Sequence, residues 1–371
     1  MKIAFIGQKG IPATFGGIEY HVEALADRLV QRGHQVDVYV RDWYTPRKMT
    51  SYRGIRLLHT STTRGKHLDA FVHSLTSSLD ALFRGHDVIH YHALGPSFFS
   101  WIPRAFRRKT VVTVHRLDWQ AGKWGRLARE FLRFCERSAV YGPALTIVVS
   151  ESLQSYFQER FRKEVIVIPN GVNLPDVAPP DLITRKSGLR GGDYLLFLGR
   201  MEPEKRPDWV IRAFHQLSPA HPDLKLVMAG GGSERFYSRL RESARGSDRI
   251  FFPGFVVGRE KDELFSNALL FLLPSYLEGF PIALLEAMSY SRACLASDIG
   301  PHREVIEDGV NGRLFSSESF PDLVTKLDLL LSRRDDLTRL GRSGFQEVRR
   351  RYNWEIIAQK TEDVYRRLFI S

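Results

Sequence analysis

The sequence predicts an α/β fold of two doubly wound domains, each built on a parallel sheet. Three observations lead there. Short β-branched, apolar runs recur along the chain with helical stretches between them, as expected of parallel strands covered on both faces. The runs fall into two sets, separated by a stretch without periodicity. The 371 residues exceed one ordinary core and suit two domains of α/β size.

The first set is IAFIG (3–7), VDVYV (36–40), IRLLH (55–59), DVIHYH (87–92), TVVTVH (110–115), TIVVS (146–150) and VIVIP (165–169). The second is YLLFLG (194–199), LKLVMAG (224–230), RIFFPGF (249–255), LLFLLPS (269–275) and RACLAS (292–297). Between them IPNGVNLPDVAPP (168–180) joins an Asn-Gly pair to four prolines and reads as the linker. The expected domains are therefore 1–170 and 171–353. The tail YNWEIIAQKTEDVYRRLF (352–369) reads as helix, with Trp354, Ile357, Val364 and Leu368 available for packing.

Apolar content of 43% and charged content of 26% are those of a globular protein. No apolar run approaches the roughly 18 residues of a membrane span. The opening MKIAFIGQKG has an apolar run of only about four residues and does not read as a signal peptide. Cys135 and Cys294 stand far apart, without metal or redox spacing. The expectation is a cytosolic, reduced protein. Charge is uneven: residues 1–170 hold 25 Lys/Arg against 14 Asp/Glu, and 171–371 hold 29 against 28. Nearly all of the +12 excess lies in the first half, and 101–137 alone carries ten basic and three acidic side chains. Such a patch attracts nucleic acid, an anionic membrane face or a phosphorylated substrate, or is simply a solvated basic face.

Ligands of open α/β sheets bind beyond the carboxyl ends of the strands, so residues that follow strands carry the functional argument. After the first strand, Gly16 and Gly17 open a helical pattern (Ile18, Val22, Leu25, Leu29). A glycine pair there lets backbone N–H groups approach an anion, although a glycine turn before a helix is common. His115 ends TVVTVH, placed for a substrate or held as a structural histidine. Asp118, Trp119 and Trp124 share its loop, and the tryptophans suit sugar stacking or the core. Arg200 and Lys205 follow YLLFLG, in a connection fixed by Pro203 and Pro207. Two cations at a strand end can neutralise a diphosphate, or pair with Glu202 and Glu204.

The stretch EGFPIALLEAM (278–288) sets Glu278 and Glu286 eight residues apart. They are surface or capping charges, or they hold something polar. Pro281 suits the first turn of a helix, which places Glu278 just before it and Glu286 inside it. Eight helical residues turn about 800°, some 80° past two turns, and separate the carboxylates by roughly 10 Å along the axis. That span suits two ends of one ligand better than a metal pair or an acid/base dyad. The amides around Phe280, Pro281 and Ile282 are then positioned to grip an anion. A carboxylate accepts two hydroxyl hydrogen bonds, as vicinal sugar hydroxyls offer. The stretch thus reads as sugar hydroxyls at one glutamate, ribose at the other and phosphates between.

Together these residues resemble the GT-B glycosyltransferases, specifically glycosyltransferase family 4, over nearly the whole chain. The Glu-x7-Glu element, the Arg200 to Lys205 stretch, the Gly16-Gly17 loop and the strand-end His115 stand in the family's order. The resemblance implies two Rossmann-like domains facing a cleft. The C-terminal helix, 354–371, would cross back to the acceptor-binding N-terminal domain, and 171–353 would bind the donor. It implies Arg200 and Lys205 on the donor diphosphate, Glu286 on the ribose, and Glu278 on donor sugar hydroxyls. Phe280, Pro281 and Ile282 would lie beside sugar and phosphates, with Gly16 and Gly17 approaching the phosphates and His115 at the reacting centre. It further implies transfer of a hexose or deoxyhexose with retention, from a nucleotide-diphosphate sugar to a glycan or lipid-diphosphate-linked acceptor in cell-surface polysaccharide synthesis. No metal and no cofactor is implied, and the chain has no Asp-x-Asp element.

A narrower likeness, to a rhamnosyltransferase-like branch, lies in GIPATFGGIE and VHRLDWQAGKWG. Arg116 stands where a glycine is common, either adding an acceptor phosphate contact or narrowing the acceptor entrance. SYSRACLAS (289–297) lacks the usual small Ala-Gly pairing. In PSFFSWIPRAFRRK (96–109), Phe98, Phe99, Trp101, Ile102 and Phe106 mix with Arg104, Arg107, Arg108 and Lys109, an interfacial membrane signature unless the aromatics are core. Peripheral contact with the inner face of the cytoplasmic membrane is expected. The competing readings are a sugar-nucleotide epimerase of similar fold, a nicotinamide oxidoreductase, whose glycine fingerprint is missing, and a nucleic-acid-binding protein. The last explains the basic half but not the strand-end residues, so no nucleic acid partner is expected.

Overall fold

The computed structural model describes residues 1–14, 16–63, 68–122 and 124–370. Phe15 and Lys123, inside two of the stretches quoted above, and the terminal Ser371 lie outside the described residues. The chain divides into two compact units, Met1–Gly171 with Trp354–Ser371, and Val172–Asn353.

The sheet of unit 1 comprises β1 (Lys2–Ile6), β2 (Gln35–Val40), β3 (Ser51–Tyr52), β4 (Ile55–His59), β5 (Val88–His92), β6 (Lys109–Val114), β7 (Leu145–Val148) and β8 (Ile166–Val167). Their order is β3-β4-β2-β1-β5-β6-β7-β8. Unit 2 comprises β9 (Tyr194–Leu198), β10 (Lys225–Ala229), β11 (Ile250–Gly254), β12 (Leu270–Leu273), β13 (Ala293–Ser297) and β14 (Arg313–Phe315), in the order β11-β10-β9-β12-β13-β14. Every pairing among the described residues is parallel except β3 with β4. In both sheets the later strands are added on the opposite side of the first, so the switch points lie between β1 and β5 and between β9 and β12. These two points are where an open α/β sheet receives ligands.

The central strands are nearly continuous apolar runs because helices cover both of their faces. β1 buries Ile3, Ala4, Phe5 and Ile6, and β12 buries Leu270, Phe271, Leu272 and Leu273. β11 contains Pro253, tolerated because that strand forms the sheet edge and its missing N–H breaks no ladder. Two strands escaped the sequence pattern. β3 has two residues and β14 has three, too short to show alternation. The helix Gly17–Gln31 buries Val22, Leu25, Ala26 and Leu29, one stripe at helical spacing. Ser150 caps the helix Glu151–Phe161 by accepting the Leu153 N–H at 3.2 Å.

The final helix, Trp354–Arg367, belongs to unit 1. Its Trp354, Ile357, Ala358, Val364 and Tyr365, with Leu368 just beyond it, are buried in the same core as Ile3, Phe5 and the Gly17–Gln31 helix. Gly171 lies against the Trp354 indole, so close that a Cβ there would meet the ring at 2.6 Å. Val172 and Asn353, one residue inward on each crossing, form a bridge within unit 2.

Candidate active site

In unit 2 the chain leaves β9 at Gly199, passes Arg200, and forms a short 3-10 turn, Pro203–Lys205. Arg206 follows in the left-handed region (φ 48°), which swings the chain into the helix Pro207–Leu217. The loop after β12 is tied directly to this turn: the Tyr276 N–H donates to the Glu204 carbonyl at 3.0 Å. That bond spans the switch point and fixes Lys205 beside Glu278.

The Lys205 ammonium hydrogen-bonds the Glu278 carboxylate, and both side chains are largely withdrawn from water. Burial by itself would raise the Glu278 pKa. The Lys205 charge and its hydrogen bond are the chief opposing cause and hold the carboxyl below its usual range. Glu278 is thus a charged, positioned acceptor at neutral pH. Arg200 is half-exposed and stands 3.9 Å from Glu204, a loose contact. The structure thus brings Lys205 and Glu278 together and leaves Arg200 at the rim.

The helix at EGFPIALLEAM starts later than the sequence suggested. It runs Ile282–Ser289, with Pro281 outside at the N-cap position (φ −87°, ψ 76°). Those angles make an inverse γ-turn, in which the Ile282 N–H turns back to the Phe280 carbonyl at 3.1 Å. The expectation that amides around Phe280, Pro281 and Ile282 are all open to an anion is corrected accordingly. Pro281 has no N–H, that of Ile282 is engaged, and Gly279, Phe280 and Ala283 remain as candidates. Because residues 278–281 are not helical, the 80° argument does not apply to the two glutamates either.

Glu286 does sit inside the helix, half-buried, and accepts from Lys261 Nζ at 2.8 Å. Lys261 comes from the neighbouring helix Gly258–Asn267, locked alongside by Tyr290. The Tyr290 hydroxyl donates to Asp262 at 2.6 Å and its ring stacks on Phe265. Leu284, Leu285, Ala287 and Met288 are core.

In unit 1, His115 immediately follows β6 and is buried. His92, the last residue of β5, places Nδ1 at 3.2 Å from His115 Nε2. His21, from the Gly17–Gln31 helix, packs its ring edge-on to His115, with centroids 4.7 Å apart. Its Nδ1 meets Asn170 Oδ1 at 2.7 Å. His90 is engaged by the Tyr365 hydroxyl at 2.6 Å and Thr113 Oγ1 at 2.7 Å. Burial depresses the pKa of all four imidazoles, of His21 to about 4 and of His90, His92 and His115 well below the usual value. His115 is a buried, neutral base.

Gly16 precedes its helix at φ 103°, a conformation that side chains avoid, and a Cβ there would collide with the Glu19 carboxylate. Glu19 accepts from the Lys9 N–H at 3.0 Å. A protein carboxylate therefore already flanks the Gly16-Gly17 turn. The Trp119 indole N–H donates to the buried Glu136 and its ring lies under the Arg133 guanidinium at 4.5 Å. That face of Trp119 is consequently occupied by the protein. Arg116 pairs with Asp118 at 3.0 Å.

The family model described as "Glycosyltransferase Family 4" matches residues 15–175, and the one described as "Glycosyl transferases group 1" matches residues 181–347. The two matches meet at the boundary of the structural units and together span most of the chain. The chain is a GT-B glycosyltransferase of family 4.

The glycosyltransferase is 28% identical to a phosphatidyl-myo-inositol mannosyltransferase of Mycobacterium leprae, covering 94% of this chain and 92% of that one. Its fold is similar to a sucrose-phosphate synthase from Thermosynechococcus elongatus (TM-score 0.84, 22% identity, 100% and 99% coverage). It is also similar to an Anabaena protein crystallised with UDP and glucose (TM-score 0.81, 18% identity, 98% and 99% coverage). Several residues beside the candidates of this glycosyltransferase carry no signal of their own in the sequence. Lys261 lies on a helix without a motif. His302 is buried beyond β13, its Nδ1 at 2.8 Å from the Ser297 carbonyl. His92 ends a strand as His115 does, a signal that applied equally to both.

Proposed function

We propose that this glycosyltransferase moves a hexose or deoxyhexose, with retention, from a nucleotide-diphosphate sugar to a glycan or lipid-linked acceptor in cell-surface polysaccharide synthesis. The observation that carries this is the buried Lys205–Glu278 pair at the switch point of the second sheet. A cation and a hydroxyl acceptor side by side match the junction of a donor, where the β-phosphate meets the sugar. On binding, Lys205 turns to the diphosphate and Glu278 to sugar hydroxyls, with Arg200 on the outer phosphate and Glu286 on the ribose. The amides of Gly279, Phe280 and Ala283 supplement them.

As the bond from anomeric carbon to phosphate oxygen breaks, negative charge grows on the leaving diphosphate. Lys205 and Arg200 stabilise it in a site from which water is withdrawn. The acceptor hydroxyl attacks on the same face and gives its proton to the departing phosphate, so that no protein base and no metal is needed. His115, neutral and buried, lies at the reacting centre as a hydrogen-bonding group for the sugar. Gly16 and Gly17 approach the phosphates, with Lys9 offsetting the Glu19 carboxylate. The reading is supported by the Anabaena relative, whose structure holds UDP and glucose, and by the mannosyltransferase relative. A thermal-shift panel of nucleotide sugars tests it, with dTDP-rhamnose included for the rhamnosyltransferase-like branch. One nucleotide sugar is expected to raise Tm in a dose-dependent way; a panel without any shift or turnover would refute the donor assignment.

Peripheral contact with an anionic membrane belongs to the same reading. Among the described residues no helix is long and apolar enough to cross a membrane. Phe99 is core, but Trp101 and Phe106 are 53% and 68% exposed. The helix Arg126–Tyr141 adds Leu127 (88% exposed) and Phe134 (54%), beside Arg126, Arg129, Arg133 and Arg137. Phe98 joins the two segments, with ring centroids 5.6 Å from Phe131 and 6.1 Å from Phe134. Apolar tips among arginines suit an anionic interface. Sedimentation with anionic vesicles is expected to exceed that with neutral vesicles and to fall in high salt; equal sedimentation would remove the electrostatic part.

A further inference from the structure

The imidazole group of unit 1 offers more than the transfer reading uses. His21, His92 and His115 each present a ring nitrogen, and these three nitrogens lie within 4.8 Å of one another. Two nitrogens bound to one tetrahedral zinc ion, each about 2.0–2.1 Å from it, stand roughly 3.3 Å apart. His92 Nδ1 and His115 Nε2, at 3.2 Å, already have that separation.

We propose that His21, His92 and His115 form a three-nitrogen site for a divalent transition-metal cation such as Zn²⁺. The tautomer of His21 favours it. Asn170 Oδ1 can only accept, so His21 Nδ1 carries the proton and Nε2 presents its lone pair to the cluster. A carbonyl oxygen orienting the far nitrogen of a histidine is the usual outer support of a metal-bound imidazole. One proton lies between His92 Nδ1 and His115 Nε2, and a cation held by both nitrogens would displace it to the far nitrogen of its ring. His90, by contrast, has both nitrogens engaged and stands outside the ligand set.

Three imidazoles without a carboxylate or thiolate select zinc, copper or nickel over magnesium or calcium. They leave a fourth position for water. Occupancy would also tie up a nitrogen of His115. The cation is therefore an inhibitor of transfer, a consequence that rests on the role proposed for His115, whereas binding itself does not.

The test titrates the metal-stripped full chain with Zn²⁺ against a competing chelator and records the absorption spectrum of the Co²⁺ form. One tight equivalent is expected, with a tetrahedral cobalt spectrum. His21→Gln and His92→Gln should each abolish the tight equivalent. Asn170→Ala should lower zinc affinity about 10–100-fold, and His215→Gln in unit 2 should leave it unchanged. Circular dichroism and nucleotide-sugar binding check the fold of each variant. If a ligand variant does not fold, Asn170→Ala, outside the ligand set, decides. Absence of a tight equivalent in the wild type, or affinity unaltered by these cluster substitutions, overturns the site. Tight zinc that leaves transfer uninhibited would instead overturn the role given to His115 and leave the site standing.

Discussion

Acidification from pH 7 to pH 5 is expected to unfold unit 1 while unit 2 stays folded. His21 and His73 are pushed down to about 4 by burial, and His90, His92 and His115 fall well below their usual value for the same reason. In the unfolded chain each titrates near 6.5. Between that pH and the folded values the unfolded state binds more protons, so stability falls as pH falls. It is intact above about 6.5. Each additional proton contributes about 1.4 kcal/mol per pH unit, and five contribute about 7. A domain typically holds only about 5–15 kcal/mol in total. In unit 2, by contrast, His302 is the histidine with a resolved depression. Limited proteolysis at pH 7 and pH 5 would locate the effect, with new cleavage at pH 5 expected within 1–171 and 354–370. Equal protection of both units at pH 5 would show that the imidazoles do not govern acid stability.

Lys205→Ala is expected to lower turnover about 10²–10³-fold, the usual loss when one stabilising group is removed from a developing charge. Arg200→Ala should cost turnover on the same order, without comparable loss of stability, because its partner contact is loose and exposed. Lys205→Ala has a second effect. It strands Glu278 as a buried charge, a change that typically costs about 3–5 kcal/mol. The two effects separate in the double variant Lys205→Ala with Glu278→Gln. Neutralising Glu278 removes the stranded charge, so Tm should recover much of the loss, whereas turnover should stay low. Recovery of both would mean that the pair is a structural ion pair and that the diphosphate is held elsewhere.

What could be read in advance follows from the range of each interaction. The apolar runs that became β1, β5, β9 and β12 were legible because burial on both faces writes itself into consecutive residues. The placement of His115 and Lys205 after strands was legible because strand ends are local. The partnership of Lys205 with Glu278 was not, since it joins positions 73 apart and depends on β9 and β12 being neighbours. The start of the Ile282–Ser289 helix was missed because proline suits both the first helical position and the γ-turn it adopts. The Arg126–Tyr141 helix was counted for its arginines, but only packing decides which of its apolar residues face outward. Ser291, in the SYSRACLAS departure, adopts φ 58°, a conformation that glycine takes at lower cost.

The passage of the chain between the units has a consequence for its synthesis. Unit 2 is one uninterrupted segment, complete once residue 353 has been made. Unit 1 begins first but receives Trp354, Ile357 and Tyr365 last, and with them the hydroxyl that holds His90. A ribosome thus releases unit 2 able to fold at once and a unit 1 that waits, its sheet partly uncovered, for the turns of helix from Trp354 onward. Termination before the codons for Trp354–Arg367 would strand the half that was translated first.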